Sequence, residues 1–216
     1  MTRLTRLVLL ALAPLMLAAC GINTIPTREE KAKAQWAEVQ NQYQRRADLI
    51  PNLVATVKGY AAQESNVLIG VTQARASALQ VRSDPGITQD PAAFQRYAAA
   101  QNNLSLALAP LRVLQENYPD LKSNENFLAL QSQLEGTENR IAVARRDYNE
   151  AVREYNTTLR TFPQIIWAST VHGGSKPMQL FQATATAQSA PTVEFAPAAP
   201  AVAPPPGAAP GSPPPK

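Results

Sequence analysis

The sequence predicts an all-α protein, an antiparallel up-and-down bundle of long helices. Three stretches carry apolar residues at alternating steps of three and four, the spacing that places one side chain per turn on a single helical face. Proline-containing turns separate these stretches, and no alternating apolar and polar pattern typical of a β-strand competes with them. A single helix cannot bury its own stripe, so the three helices are expected to pack against one another.

The first predicted helix begins at Thr27, which forms a capping box with Glu30: the hydroxyl caps the helix, and the carboxylate lies three residues further on. Its apolar stripe covers residues 36–78 and keeps its phase through Pro51. A proline inside a helix removes one hydrogen bond and costs about 3 kcal/mol. We therefore expect one long helix with a kink at Pro51, and the alternative is a break between residues 48 and 52.

The second predicted helix starts at Asp90, an N-cap residue followed by Pro91 at the first helical position. Its apolar stripe covers residues 94–114. The third helix, residues 123–162, carries an unbroken stripe that ends at Phe162, and it would be roughly 55–60 Å long. A helix of this length needs partners of similar length to cover its stripe.

Beyond residue 162 the helical pattern loosens. Residues 165–167 could form a short helix or a docked segment, and residues 178–181 could return to the body of the protein. From residue 182 onward Ala, Thr, Gln and then Pro dominate, so too few large apolar side chains remain to offset the entropy of ordering. We therefore expect a helical bundle over residues 27–181 and a disordered Ala/Pro-rich tail over residues 182–216.

Residues 1–19 have the layout of an export signal: a basic start, a short apolar run and small residues before a cysteine. The sequence Leu-Ala-Ala-Cys at residues 17–20 resembles the bacterial lipobox, whose cysteine becomes the acylated mature N-terminus. The resemblance implies a lipid on Cys20, an acylated linker over residues 20–26 and membrane attachment through the acyl chains. Cleavage without lipidation and an uncleaved span are the alternatives, but the apolar run is shorter than the roughly 20 residues a span needs.

The residue after the cysteine bears on the choice of membrane. In many Gram-negative lipoproteins an aspartate at that position signals retention at the inner membrane, and this chain has Gly21 instead. The resemblance therefore favours the periplasmic face of the outer membrane if the cell has two membranes. In either case the bundle is expected to face outside the cytoplasm of a bacterium.

Few residues are available for chemistry. His172 is the one histidine and Cys20 the one cysteine, so a metal site built on imidazoles or thiolates is not expected. Neither a glycine-rich phosphate loop nor a Gly-x-Ser-x-Gly nucleophile motif occurs. The formal charge of +4 falls to +2 without Arg3 and Arg6 of the predicted signal, too little to indicate nucleic acid binding. We expect no cofactor, no metal and no catalytic activity, with a hydrolase using paired carboxylates as the open alternative.

Charged and amide residues recur at positions that could face inward. They are interpreted either as a polar recognition site or as inter-helical ion pairs that fix the register of the bundle. Tyr-Asn pairs repeat seven residues apart in the third helix, which indicates either helix-packing hydrogen bonds or a ladder facing a ligand. The candidate residues are Arg45, Arg46, Asp48, Glu135, Glu138, Arg145, Asn149 and Asn156.

Several motifs, ordered along the chain, resemble the signature of the LemA family. They are Arg45-Arg46-x-Asp48-Leu49-Ile50-Pro51-Asn52-Leu53-Val54, Glu116-x-Tyr118-Pro119-x-Leu121-Lys122, Leu134-Glu135-x-Thr137-Glu138-Asn139-Arg140-Ile141, Arg145-Arg146-x-Tyr148-Asn149 and Pro191-Thr192-Val193-Glu194-Phe195. The resemblance implies an up-and-down helical bundle held outside the cytoplasm by an N-terminal membrane segment, with no established enzymatic activity. This chain departs from the family pattern by its lipobox, where many members have a spanning helix, and by the tail beyond Phe195.

These features predict a lipid-anchored, extracytoplasmic helical-bundle protein of the bacterial cell envelope. Its expected role is a scaffold or protein-binding module, with the membrane as one partner through acylated Cys20 and an envelope protein as another, and without nucleic acid. The alternative is a structural lipoprotein associated with peptidoglycan or polysaccharide, in which the tail acts as a spacer of about 3.1 Å per residue.

The lipobox makes a prediction about the mature N-terminus. We expect mass spectrometry of the chain isolated from membranes to find Cys20 as the first residue and to find it acylated. The Cys20→Ser variant should lose the acyl mass, because no sulfur then accepts the lipid. An unmodified Cys20 in the mature chain, or a retained residue 1–19 segment, would contradict the assignment.

Overall fold

The computed structural model describes residues 21–81 and 86–182. This part of the chain contains six α-helices and no β-strand, which confirms the predicted all-α class. The helices are α1 (Thr24–Tyr60), α2 (Ser65–Gln80), α3 (Pro91–Asn117), α4 (Pro119–Lys122), α5 (Glu125–Thr158) and α6 (Gln164–Thr170), with a 3-10 turn at Ile87–Gln89 before α3. The predicted signal peptide, Cys20 and the predicted tail from residue 183 onward lie outside the described residues.

The two longest helices, α1 and α5, run antiparallel along their whole length. Arg28 near the start of α1 forms an ion pair with Glu154 near the end of α5. At the opposite end, Asn124 Nδ2, one residue before α5, donates to the hydroxyl of Tyr60 at 2.9 Å. The first turn of α1 is therefore level with the last turn of α5, and the reverse holds at the other end of the bundle.

Helices α2 and α3 complete the up-and-down arrangement. α2 runs back along the second half of α1, where Arg75 Nε donates to a backbone carbonyl of α1 at 2.7 Å. α3 then runs parallel to α1: Trp36 packs on Phe94, and Arg46 further along α1 donates to Gln101 further along α3. The four long helices α1, α2, α3 and α5 therefore alternate in direction along the chain, as an up-and-down antiparallel bundle requires.

The start of α1 corrects the predicted capping box. α1 begins at Thr24, and the hydroxyl of Thr27 donates to the carbonyl of Asn23 at 2.7 Å instead of capping a helix end. Pro26 is compatible with this earlier start, because a proline in the first turn lacks only an N–H that has no partner within the helix. The bundle therefore begins inside the segment 20–26 that was predicted as a linker.

The first predicted helix is two helices in the structure. α1 continues through Pro51, so the alternative of a break between residues 48 and 52 is wrong, but the predicted single helix is wrong as well, since α1 ends at Tyr60 and α2 starts at Ser65. Folding back lets the stripe of α2 pack on the stripe of α1, and this burial outweighs the continuation of one helix. The buried residues that the two helices contribute to their shared cluster are Ile50, Leu53, Val57, Leu68, Val71 and Ala78.

Two apolar clusters form the core. The first lies at the end where α1 begins, and its aromatic rings have centroid separations of 4.8 to 6.2 Å, a range typical of favourable aromatic pairs. The rings with the most contacts belong to Trp36, Phe94, Tyr148 and Phe181. The second cluster is mainly aliphatic and lies where α2 covers α1 and α3.

Most of the stripe of α5 is buried, as predicted, between Phe127 and Tyr155, while Leu130 and Leu134 are partly buried. Its last predicted member, Phe162, is 79% exposed. The prediction fails there because α5 ends at Thr158, so the helical spacing that would direct Phe162 inward no longer applies.

Four buried tyrosines predict how stability depends on alkaline pH. Burial is the largest cause that raises the pKa of Tyr43, Tyr97, Tyr148 and Tyr155 above the ordinary value of 10.0. The unfolded chain releases these protons at about pH 10 while the folded chain retains them, so the contribution of these tyrosines to stability should be constant below that pH and fall above it. Tyrosinate absorbance and far-ultraviolet circular dichroism, recorded together in an alkaline titration, should show four of the six tyrosines ionising as the helices unfold. Ionisation of all six in the helical protein would contradict this.

Candidate functional site

A buried guanidinium lies between α1, α3 and α5. The side chain of Arg46 is 1% exposed. Its Nη1 donates to Ser105 Oγ at 2.6 Å and to Glu138 Oε1 at 2.8 Å, and its Nη2 donates to Gln101 Oε1 at 2.7 Å. The guanidinium also lies 5.2 Å from the ring centre of Tyr43. We call Arg46, Gln101, Ser105 and Glu138 the Arg46 cluster.

The Arg46 cluster divides the core along the axis of the bundle. The first apolar cluster uses α1 up to Tyr43, and the second uses α1 from Ile50 onward, so the Arg46 layer lies between them. Removing a charge from water costs several kcal/mol even in a real protein interior, and only good partners offset this cost. Those partners come from α3 and α5 and meet Arg46, on α1, at one height. An ion pair between α1 and α5 is what the second of the two interpretations made from the sequence requires, and its role in fixing the register stays a prediction.

The other charged candidates do not join this cluster. Arg45 and Asp48 are exposed, and Asp48 accepts a hydrogen bond from Gln44 within α1 at 2.8 Å. Glu135 is exposed as well and lies 3.7 Å from Arg112 of α3. The predicted charged set thus contributes one ion pair in which the arginine is buried and the glutamate partly exposed, and three of its members lie at the surface.

Two members of the Arg46 cluster were absent from the sequence prediction. Gln101 occupies a position in the apolar stripe of α3, and a polar side chain at a core position must find a partner there. A glutamine in an apolar stripe was therefore the signal that could have identified Gln101 as a buried polar residue. Ser105 lies beside the stripe, between Leu104 and Leu106, and no pattern distinguishes it.

The asparagines of the Tyr-Asn repeat bind an extended segment of the same chain. Asn149 Nδ2 donates to the carbonyl of Phe181, and Asn149 Oδ1 accepts from the N–H of Phe181, both at 2.9 Å. Asn156 makes the same pair of bonds with Met178, at 2.8 and 2.9 Å. We call these two asparagines and their four bonds the asparagine ladder, and residues 176–181 the extended segment.

The spacing of the ladder matches two kinds of backbone. Seven residues of α-helix rise roughly 10.5 Å, and three residues of extended chain rise roughly 10 Å. Asn149 and Asn156 are seven residues apart, and Phe181 and Met178 are three apart. The tyrosines preceding the asparagines follow the same rule, since Tyr148 donates to the carbonyl of Gln179 at 2.8 Å and Tyr155 to that of Lys176 at 3.2 Å.

Phe181 anchors the end of the extended segment. Its ring belongs to the first apolar cluster, and the guanidinium of Arg145 lies 4.5 Å from the ring centre. The N–H of Gln179 donates to the carbonyl of Thr88, just before α3, at 2.7 Å. The segment therefore joins α5 to the start of α3, in the part of the bundle that the 16 residues of α2 do not reach. Residues 178–181 return to the body, and the ladder holds the chain itself instead of a second helix.

Further along the same two helices lies an open groove. It has a volume of about 240 Å³ and is lined by Ser105, Leu108, Ala109, Arg112, Leu134 and Glu138. Two of these residues, Ser105 and Glu138, belong to the Arg46 cluster and form the polar side of the groove. We call it the α3–α5 groove. The space between α3 and α5 thus holds an extended peptide at one end and is open to solvent at the other.

The chemistry of these sites is that of binding. Among the residues that the structure describes, no three His, Cys, Asp or Glu side chains are grouped so that they could hold a metal ion. Within the same residues, none of the helices combines the length and the apolar character needed to cross a bilayer. The asparagine ladder recognises main-chain groups. In the Arg46 cluster, the guanidinium of Arg46 binds a carboxylate, an amide and a hydroxyl.

Comparison with known proteins places these features in a family. The LemA family model matches residues 35–195, a range that includes the Arg46 cluster, the asparagine ladder and the extended segment. Magnetosome protein MamQ 2 and Magnetosome protein MamQ 1 of Paramagnetospirillum magneticum are each 28% identical to the chain over 157 residues. Magnetosome protein MamQ of Magnetospirillum gryphiswaldense is 25% identical over 157 residues. Each alignment covers 65% of this chain and 58% of the relative, so the chain spans less than two thirds of these curated relatives.

The ladder predicts the effect of removing its amides. Asn149→Ala and Asn156→Ala should each lower the free energy of unfolding by roughly 1–3 kcal/mol, because each leaves a main-chain N–H and C=O without their partner. Amide hydrogen exchange at Met178 and Phe181 should accelerate in the corresponding variant, and chemical denaturation measures the stability.

Asn139→Ala is the matched control, since Asn139 is an exposed asparagine on the same helix. It should change neither quantity. Unchanged exchange at Phe181 in the Asn149→Ala variant would show that the ladder does not hold the segment.

Proposed function

Since the chain belongs to the LemA family, we propose that it is a lipid-anchored, extracytoplasmic helical-bundle protein of the bacterial cell envelope. In this proposal it works as a scaffold or protein-binding module without catalytic activity. Its membrane attachment runs through acylated Cys20, and its second partner is an envelope protein that occupies the α3–α5 groove.

The observation that carries the binding role is the divided use of the space between α3 and α5. At one end this space holds residues 176–181 through main-chain hydrogen bonds and one aromatic anchor, Phe181. At the other end the same two helices leave the α3–α5 groove open. A surface that binds one extended peptide through its backbone is suited to bind another beside it.

The lining of the groove defines what it would accept. Its apolar lining residues are Leu108, Ala109 and Leu134, and its polar lining residues include Arg112 and Glu138. This composition suits an apolar side chain of a partner whose neighbouring groups hydrogen-bond at the rim. The carboxylate of Glu138 is already bound by Arg46, which supports a role in binding and not in proton transfer.

A short connection to the membrane agrees with a scaffold. α1 begins at Thr24, so residues 21–23 separate the bundle from Cys20. The alternative of a cell-wall lipoprotein depends on the Pro-rich tail at residues 196–216, which lies outside the described residues. The groove supports the protein-binding role, because its apolar and polar lining residues lie on the helical bundle itself.

Site-specific photo-crosslinking in intact cells tests the binding role. A photoreactive side chain at Ala109, which lines the groove, should give a defined adduct with an envelope protein that mass spectrometry identifies. The same side chain at Asn103, which is exposed on α3 but does not line the groove, is the matched control. It should not give that adduct.

A second substitution separates the groove from the remaining surface. Leu134→Glu places a charge among the apolar lining residues at a partly exposed position and should abolish the Ala109 adduct without unfolding the bundle. Identical adducts from Ala109 and Asn103, or an Ala109 adduct that survives Leu134→Glu, would contradict a partner in the groove.

A further inference from the structure

An apolar surface lies at the end of the bundle where α1 begins and α5 ends. Phe162 is 79% exposed, Ile165 46%, Ile166 48% and Val171 55%, and Trp167, on the same short helix as Ile165 and Ile166, is partly buried against the first apolar cluster. We call these five residues the apolar tip. The described part of the chain has other exposed large apolar residues, but apart from Leu180 they are spread over four long helices, α1, α2, α3 and α5. They are Tyr60, Ile69, Leu79, Leu106, Val113, Leu128 and Val143. A concentration of such residues in and beside one short helix marks an interaction surface.

The chain reaches the apolar tip from its apolar N-terminal run. Gly21 lies against the indole of Trp167, since a Cβ added at Gly21 would lie 3.6 Å from Trp167 Nε1. The ring nitrogen Nε2 of His172 is 3.0 Å from the carbonyl oxygen of Ile22. Residues 7–19, which precede this point, are almost wholly apolar. The part of the sequence suited to lipid therefore connects to the bundle beside α6.

The charge of this end is complementary to an anionic surface. Residues 21–28 and 155–182 contain no aspartate or glutamate, and Glu29 and Glu30, which follow on α1, are both paired with Lys33. Two exposed basic residues, Arg160 and Lys176, flank the apolar tip in the sequence. The nearest carboxylate on α5, Glu154, is bound by Lys31 and Arg28, and hydrogen bonding from Lys31 is the first cause that lowers its pKa. Anionic phospholipids attract basic residues placed next to apolar side chains.

We propose that the apolar tip contacts the lipid bilayer, with Phe162, Ile165 and Ile166 inserted at the boundary of headgroups and acyl chains and Trp167 at the interface. Tryptophan is enriched at that depth because its ring is apolar and its N–H is polar. The proposal rests on the proposed membrane attachment, which brings the tip to the bilayer. It adds that α6 lies on the membrane, so the bundle is oriented by two contacts instead of one point of attachment.

The two tryptophans of the chain allow a direct test. Trp36 is in the core and 8% exposed, whereas Trp167 belongs to the apolar tip. The full chain, purified from membranes and reconstituted into vesicles of phosphatidylcholine and phosphatidylglycerol, is separated from unbound protein by flotation. Tryptophan emission is then compared between vesicles with plain and with brominated acyl chains, since bromine quenches only fluorophores that it approaches closely.

We expect brominated lipid to reduce the emission of the wild-type chain and to leave that of Trp167→Phe, which reports Trp36 alone, unchanged. Ile165→Asn together with Ile166→Asn should reduce the quenching, and Leu106→Asn, on an exposed leucine of α3, should not. Arg160→Gln together with Lys176→Gln should remove any dependence of the quenching on phosphatidylglycerol.

The outcomes separate this proposal from the proposed function. A chain that floats with vesicles but is not quenched overturns the lipid contact and leaves membrane attachment intact; the tip would then be covered by protein. A chain that does not float overturns both. Equal quenching in the wild type and in Trp167→Phe also overturns the proposal, because the quenched residue would then be Trp36.

Discussion

The buried charge of Arg46 is the constraint to which the rest of the bundle conforms. Its guanidinium has left water, and the groups that compensate come from α3 and α5. Sliding any of the three helices by one turn would move a partner about 5.4 Å away. Apolar packing alone tolerates such shifts more easily, because similar side chains replace one another along a stripe. The polar layer thus specifies the one alignment in which both apolar clusters and the asparagine ladder form.

The unequal lengths of the helices explain why a non-helical segment enters the core. α1 has 37 residues and α5 has 34, whereas α2 has only 16. Near the start of α1 the bundle therefore lacks a fourth helix. The extended segment takes that place and contributes Met178 and Phe181 to the apolar cluster. A helix satisfies its own main chain, but an extended segment does not, and the side chains of α5 supply the missing hydrogen bonds.

Much of this fold could be predicted from periodicity, because steps of three and four identify which face of each helix is buried. Periodicity does not identify what covers that face. The stripe keeps its phase from Trp36 to Ala78, yet the chain turns after Tyr60. The spacing does not reveal this turn, because two halves of one stripe that pack on each other have the same pattern as one stripe that packs on another helix.

The same limit applied to the polar residues. The seven-residue repeat of asparagines placed them on one line, but their partner lies in a segment without helical pattern, so no spacing in the sequence connected the two. Among the charged candidates, adjacent residues differ in outcome: Arg45 is exposed and Arg46 is buried, as a helix requires of neighbours. Their order along the stripe could have selected Arg46, since its position falls between Tyr43 and Ile50 on the buried face.

Main-chain recognition in the asparagine ladder also affects how this part of the protein can evolve. Gln179 and Leu180 lie between the two rungs, and neither side chain bonds to the asparagines. Substitution at these two positions leaves the rungs in place. Gain or loss of a single residue between Met178 and Phe181 would displace one rung by about 3.3 Å, too far for a hydrogen bond. Among related chains, natural selection should therefore conserve the number of residues in this interval more strictly than their identity.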